Sequence, residues 1–186
     1  NALMNDENDI KMAGGLLMMM NGSPFVYYGE EIGMASLGSK DENKRLPMIW
    51  SSDASVKGMT AGPADADEGI TSAFEAVDKQ LKDKNSILNY YKRALRLRNE
   101  NPEIARGVIE LVDSLCDGNQ AAITKSYNGS TIGIVYNTSD DEISVNIAGT
   151  VLSDMGIRGY LTLNNEKITL KDGILVMPSQ SICILK

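Results

Sequence analysis

The chain has 186 residues, 42% of them hydrophobic and 23% charged, which is the composition of an ordinary soluble protein and enough length for one domain or two small ones. A formal net charge of −7 argues against a nucleic-acid partner, since such a surface has little with which to displace phosphate counterions. Histidine is absent, which removes Ser-His and Cys-His nucleophile pairs and imidazole metal sites, and no run approaches the ~20 apolar residues of a membrane span.

Taken in chain order, the first predicted element is a helix over Asp9–Met20. Asp6, Glu7 and Asp9 place negative charge at its start, where it complements the helix dipole. Asn21 and Gly22 close it with residues that tolerate a left-handed turn. Apart from Lys11 its interior is apolar nearly all round, which predicts burial on more than one side. Met18, Met19 and Met20 read as adaptable core filling.

Pro24 then opens the continuous apolar run Phe25-Val26-Tyr27-Tyr28. This pattern predicts a parallel strand covered on both faces, ending in the paired carboxylates Glu30 and Glu31. From Gly29 to about Asp83 the sequence offers glycines, prolines, acids and serines, with no second strand of that type. The strand would need neighbours for its backbone groups, and this stretch predicts none.

A second helix is predicted over Ser86–Glu100, capped by Ser86, with Ile87, Tyr91, Ala94, Leu95 and Arg98 on one stripe and Pro102 just past its end. Arg93, Arg96 and Arg98 read as a solvated basic face. After Gly107 the period changes to two. Short strands are predicted at Val108–Val112, Ala121–Tyr127, Thr131–Asn137, Glu142–Ile147, Tyr160–Leu163, Lys167–Leu170, Ile174–Met177 and Ser181–Leu185. Asn128-Gly129 is a hairpin signal, because both residues accept positive φ. The organisation is therefore an incomplete α/β part over 1–106 and an antiparallel sandwich over 107–186. Cys116 and Cys183 fit no metal spacing and read equally as two free thiols or one bridge.

Three stretches in this order, "GSPFVYYGEEIGM" at Gly22–Met34, "DENKRLPMIW" at Asp41–Trp50 and "NSILNYYKRALRLRNENP" at Asn85–Pro102, resemble the end of the catalytic barrel in the α-amylase family, glycoside hydrolase family 13. The resemblance is nearest to α-amylases and oligo-1,6-glucosidases. It implies a fold class of α/β plus all-β: the last unit of a (β/α)₈ barrel, with Phe25–Tyr28 as its eighth strand, followed by a C-terminal β-sandwich. It also implies that the family's three catalytic carboxylates precede Asn1, since its asparagine-histidine-aspartate motif is missing here. The intact protein would then be a retaining hydrolase of α-glucosidic bonds in starch or malto-oligosaccharides, and this chain alone would be inactive.

For site residues, the resemblance carries Arg45 to the subsite that holds the cleaved sugar, with Glu30 beside the substrate face. Glu30 and Glu31 do not suit a catalytic pair, because adjacent residues leaving a strand point to opposite sides, whereas a retaining pair faces across a sugar. Anchoring of loop backbone or an arginine is the plainer role for one of them. Trp50 reads as loop packing ahead of sugar stacking. Asp65, Asp67 and Glu68 read as an exposed acidic loop that does not meet the EF-hand pattern. No cofactor is implied in this chain; a family calcium site would lie outside it. Expected partners are an α-glucan and the preceding part of the same barrel, with no nucleic acid and no membrane. The compartment stays open, with secretion or the cell surface favoured. The rivals are a non-catalytic carbohydrate-binding or structural module, for which an exposed aromatic row on the sandwich would speak, and an oligo-1,6-glucosidase or transglycosylase. Tyr127, Tyr136 and Tyr160 are the only candidates for such a row.

Overall fold

The computed structural model describes residues 6–35, 38–53, 55–57, 59–67 and 74–186. Helix α1 (Glu7–Met19) opens on Asp6, whose Oδ1 accepts from the backbone N–H groups of Asn8 at 2.8 Å and Asp9 at 3.1 Å. Those are donors that a first helical turn cannot satisfy itself. The single turn α2 (Val77–Gln80), the helix α3 (Ile87–Glu100) and the short α4 (Pro102–Arg106) follow. Ser86 caps α3 as expected, accepting from the Asn89 N–H at 3.2 Å while donating to the Gln80 carbonyl at 2.7 Å. The chain forms two compact units, one holding the described residues up to Lys11 and Phe25–Tyr91, the other Met12–Pro24 and Lys92–Lys186.

In the first unit the expected strand at Phe25–Tyr28 does not form. The segment has no ladder partner among the described residues and lies open, with Phe25 91% exposed. Extended backbone becomes a strand only when a neighbour takes its polar groups, and here none does. Accordingly the described residues close no barrel. The chain instead turns at Gly29 (φ 92°) into a 3₁₀ turn, Glu30–Ile32, which ends at Gly33 (φ 70°). A methyl group on Gly33 would sit 2.4 Å from Phe74 Cδ2 and 2.7 Å from Ile87 Cδ1, at a left-handed φ. Gly33→Ala is therefore expected to cost about 2 kcal/mol from strain and overpacking, read as a lower denaturant midpoint.

Gln80, buried in this unit, ties three segments together. Its Nε2 donates to the carbonyls of Ile32 at 2.9 Å and Glu75 at 2.7 Å, and its Oε1 accepts from the Leu88 N–H at 3.0 Å. One side chain thus fixes the Glu30–Ile32 turn, the returning loop and the first turn of α3.

The second unit holds the predicted strands, in two antiparallel sheets. The strands are β1 (Val108–Leu111), β2 (Gln120–Tyr127), β3 (Ser130–Asn137), β4 (Ile143–Asn146), β5 (Ile157–Leu161), β6 (Thr169–Lys171), β7 (Ile174–Met177) and β8 (Ser181–Leu185). The sheet orders are β1-β2-β3-β8-β5 and β4-β7-β6. Asn128 (φ 51°) and Gly129 (φ 76°) form the two-residue turn that pairs Tyr127 with Ser130. Along β4 and the residue after it the side chains alternate, as a strand of period two requires: Val145 and Ile147 enter the core while Ser144 and Asn146 stay wet. Ala122, Val135, Leu175, Met177, Cys183 and Leu185 share that core. Both cysteines are free thiols, and burial pushes Cys183 up to about 12.

Two expectations for α3 are corrected. Leu95 is 40% exposed and Tyr90 is fully buried in its place. Arg98 is not part of a solvated face: it is buried and donates through Nη1 to the Met18 and Met20 carbonyls, at 2.6 Å each, and through Nη2 to the Gly22 carbonyl. Lys125, equally buried, donates to the carbonyls of Met19 at 2.7 Å and Ile104 at 2.9 Å and to Asn21 Oδ1 at 2.6 Å. Two cations thus take up the carbonyls that the end of α1 leaves without partners. Burial, then the nearby Arg98 charge, pull the Lys125 ammonium down to about 8.

Glu103 is another buried charge, and it receives the Lys186 ammonium at 2.8 Å. Burial pushes its carboxyl up, but hydrogen bonds from Lys186 and Ser130 outweigh that and hold it below the ordinary value. A carboxyl depressed on folding stabilises above its unfolded pKa and loses that contribution as pH falls through the folded one. Urea unfolding of wild type is therefore expected to weaken below about pH 4.5 more steeply than that of Glu103→Gln.

Candidate functional site

The residues singled out in the sequence meet in the first unit, around the Glu30–Ile32 turn and a second 3₁₀ turn, Glu42–Arg45. Arg45 ends that second turn, and Leu46 then goes extended (ψ 148°), so the chain runs outward through Pro47 and Met48 to Trp50. A cavity of about 360 Å³ lies here, walled by Tyr28, Glu31, Arg45, Met48, Trp50 and Thr60 among others. It combines a guanidinium, a carboxylate, a hydroxyl and two aromatic rings. Such a set can hold a polyol by its rim and stack on an apolar face, and the planar fork of arginine can serve two hydroxyls at once.

Tyr28 is fixed by its hydroxyl, which donates to the Leu46 carbonyl at 3.0 Å, and by the Tyr27 ring 4.8 Å away. Partial burial, then Tyr27, push its phenol up; the Arg45 charge pulls the other way. Arg45 pairs with Glu42 at 3.4 Å and its side chain stays 58% exposed. That contact is too open to be its main structural employment. Trp50 is 55% exposed, so packing does not consume its ring as the sequence reading expected.

The two glutamates part company. Glu31 Oε2 accepts from the Gly29 N–H at 2.7 Å and Glu30 Oε2 from the Tyr27 N–H at 3.2 Å, so both anchor their own loop. Glu31 lines the Arg45 cavity. Glu30 lines a neighbouring one, with Tyr27, Tyr28 and Lys44. Arg45 and Glu31 therefore line one cavity and Glu30 the other, with Tyr28 lining both. Burial, then both carboxylates, raise the phenol of Tyr91 to about 12.

In the acidic loop Asp65 and Asp67 are exposed, as expected, and the Asp67 carboxylate has partners. Asp67 accepts from Lys40 Nζ at 2.5 Å and Asn43 Nδ2 at 2.9 Å, and hydrogen bonds from Lys40 and then Asn43 hold its carboxyl below the usual range. Glu68 lies outside the described residues. Among the described residues no group of three or more Asp, Glu or Cys could hold a metal ion, and no helix is long and apolar enough to cross a membrane. On the sandwich, Tyr136 is buried, Tyr160 packs against the core and Tyr127 is half-buried beneath Arg106, 5.8 Å from its ring centroid. These three make no exposed aromatic row.

Residues 1–107 match the family described as "Alpha amylase, catalytic domain". The chain belongs to the alpha-amylase family. Among its relatives in that family, Alpha-amylase 3 of Dictyoglomus thermophilum is 30% identical over 174 residues, covering 93% of this chain and 33% of that protein. The trehalose synthase/amylase TreS of Mycobacterium tuberculosis is 33% identical over 117 residues, covering 58% of this chain and 19% of that protein. The solved structure of Eubacterium rectale Amy13B superposes with a TM-score of 0.89 at 37% identity, over 96% of this chain and 34% of that one. The chain thus spans between about a fifth and about a third of the length of these alpha-amylase family proteins. Its mixed α/β region followed by antiparallel sheets fits their architecture.

Sequence reasoning missed Gln80, Lys44 and Thr60. Gln80 sits in a stretch without hydrophobic period. Thr60 comes from a loop segment that no motif marks. Lys44 stands beside Arg45 and is as visible in the sequence, but nothing distinguished it from a surface lysine.

Proposed function

We propose that this chain is a non-catalytic, sugar-contacting and structural part of an enzyme acting on α-glucosidic bonds. Residues 1–106 would supply the closing elements of its catalytic barrel, and 107–186 the sandwich that follows them in sequence. The carrying observation is the cavity that brings Arg45, Glu31, Tyr28 and Trp50 together within a segment matched to the alpha-amylase catalytic domain. In the whole enzyme, carboxylates outside this chain would perform retaining chemistry, one as nucleophile and one as acid then base. Glu30 and Glu31, committed to their own loop and walling different cavities, leave that work to others. Hydrolysis of starch or malto-oligosaccharides is the first reading for the whole. Glycosyl transfer is the second, favoured by TreS, whose name carries both trehalose synthase and amylase.

Trp50 is the only tryptophan, so its fluorescence reports on this cavity alone. Titration of the chain with maltotriose is expected to shift its emission with millimolar affinity, and Arg45→Ala to abolish the shift. The same preparation is expected to release no reducing sugar from starch. Unchanged emission at saturating sugar would remove the substrate contact; turnover above blank would remove the non-catalytic reading.

A further inference from the structure

The chain has two Asn-Gly pairs, Asn21-Gly22 and Asn128-Gly129, and the fold treats them in opposite ways. Each glycine takes a left-handed φ, 83° for Gly22 and 76° for Gly129. The first pair is held at its reacting atoms. Asn21 Nδ2 donates to the Gly107 carbonyl at 2.7 Å, its Oδ1 accepts from the Lys125 ammonium at 2.6 Å, and the Gly22 N–H donates to the Ala105 carbonyl at 2.9 Å. The second pair is the exposed tip of the β2–β3 hairpin, just past the last rung, Tyr127–Ser130. Among the described residues the Asn128 amide has no hydrogen-bond partner, and the Gly129 N–H has none on the backbone. No atom beyond the chain neighbours of Gly129 lies within 4 Å of where its Cβ would stand, so nothing crowds the tip.

We propose that Asn128 is a site of spontaneous deamidation, and that the fold holds Asn21 inert in the same sequence context. Base takes the proton from the Gly129 backbone nitrogen, which attacks Asn128 Cγ. The new N–C bond closes a succinimide ring, and the Cγ–Nδ2 bond breaks, Nδ2 leaving as ammonia with a proton from water. Water then opens the ring. Cleavage at Cγ gives aspartate; cleavage at the main-chain carbonyl gives isoaspartate, with the chain running through Cγ. In sum one amide and one water become one carboxylic acid and one ammonia. Glycine suits the attack because no Cβ hinders its nitrogen. Asn128 must leave φ 51°, a region that a non-glycine residue holds at some cost, and a tip outside the ladder does so without opening the sheet. At Asn21 the same movement breaks three hydrogen bonds, one of them from a buried ammonium. The two products differ in effect. Asp-Gly suits a two-residue turn as Asn-Gly does, so aspartate keeps the register of β2 on β3. Isoaspartate adds a methylene to a main chain with no slack there, and displaces the Tyr127–Ser130 rung.

The chain would be aged in mildly alkaline buffer, folded and in urea, then digested with trypsin at mildly acidic pH. Asn128 falls in peptide 126–158 and Asn21 in peptide 12–40, and fragment masses locate the exchange within each. In the folded chain Asn128 is expected to gain the mass of amide-to-acid exchange, in two chromatographic forms. It should do so at least about tenfold faster than Asn21, the scale of three broken hydrogen bonds. In urea the two should react at similar rates. Equal rates in the folded chain overturn the protection of Asn21. An Asn128 that reacts in urea and not in the folded chain overturns the site, because the turn itself then protects it. The separated isoaspartate form is expected to unfold at lower urea than the aspartate form, and equal midpoints overturn the displaced rung.

Discussion

Replacing Arg98 with methionine is expected to destabilise the second unit by about 3 kcal/mol or more, the largest effect foreseen for a single side chain outside the hydrophobic core. The change keeps most of the apolar stem of the side chain but strips the donors from the carbonyls of Met18, Met20 and Gly22. Met18 lies in the last turn of α1, and Met20 and Gly22 follow directly after it. Urea unfolding followed by circular dichroism measures the loss, and a change below ~1 kcal/mol would mean that water enters and replaces the guanidinium. Lys125 supplies an independent check through pH. Its folded value, about 8, lies below the ordinary one, so the unfolded chain binds the extra proton between roughly pH 8 and 10.5. Stability therefore gains with rising pH across that window, relative to Lys125→Met. Arg98→Met should shrink this gain, because removing the neighbouring charge lets the ammonium recover toward its usual range.

Arg45→Ala is the largest expected effect on activity. In the enzyme proposed to contain this chain, kcat/KM on maltotriose is expected to fall about 100-fold, the scale of one or two charge-assisted hydrogen bonds to substrate. The unfolding midpoint should barely move, because the Glu42 contact is exposed and worth about 0–1 kcal/mol. Arg45→Lys keeps the charge and loses the planar fork, and should recover only part of the activity. Wild-type kinetics in Arg45→Ala would return the residue to the scaffold.

The sandwich was legible in the sequence because its signals are local. Alternation along β4 and the Asn128-Gly129 turn each depend on a few adjacent residues and on backbone preferences that need no partner. Phe25–Tyr28 shows the opposite case. Its run of apolar side chains marks what the segment prefers to pack against, but a strand also requires backbone neighbours, which no residue within the run can supply. Arg98 and Lys125 were invisible for a related reason. Their partners are backbone carbonyls some 80 and 106 positions away in sequence, and a carbonyl leaves no mark in an amino-acid string. Within the site, Arg45 could be found from its motif. The choice between Glu30 and Glu31 could not, because it rests on the direction of each side chain out of a 3₁₀ turn.

Left bare, Phe25 and Val26 have a colloidal consequence. An uncovered apolar ribbon with unclaimed backbone amides is a template on which another molecule can lay down a matching strand. Concentrated solutions should cloud with time from this one locus, and a lysine in place of Phe25 should keep them clear without disturbing the hydrophobic interior.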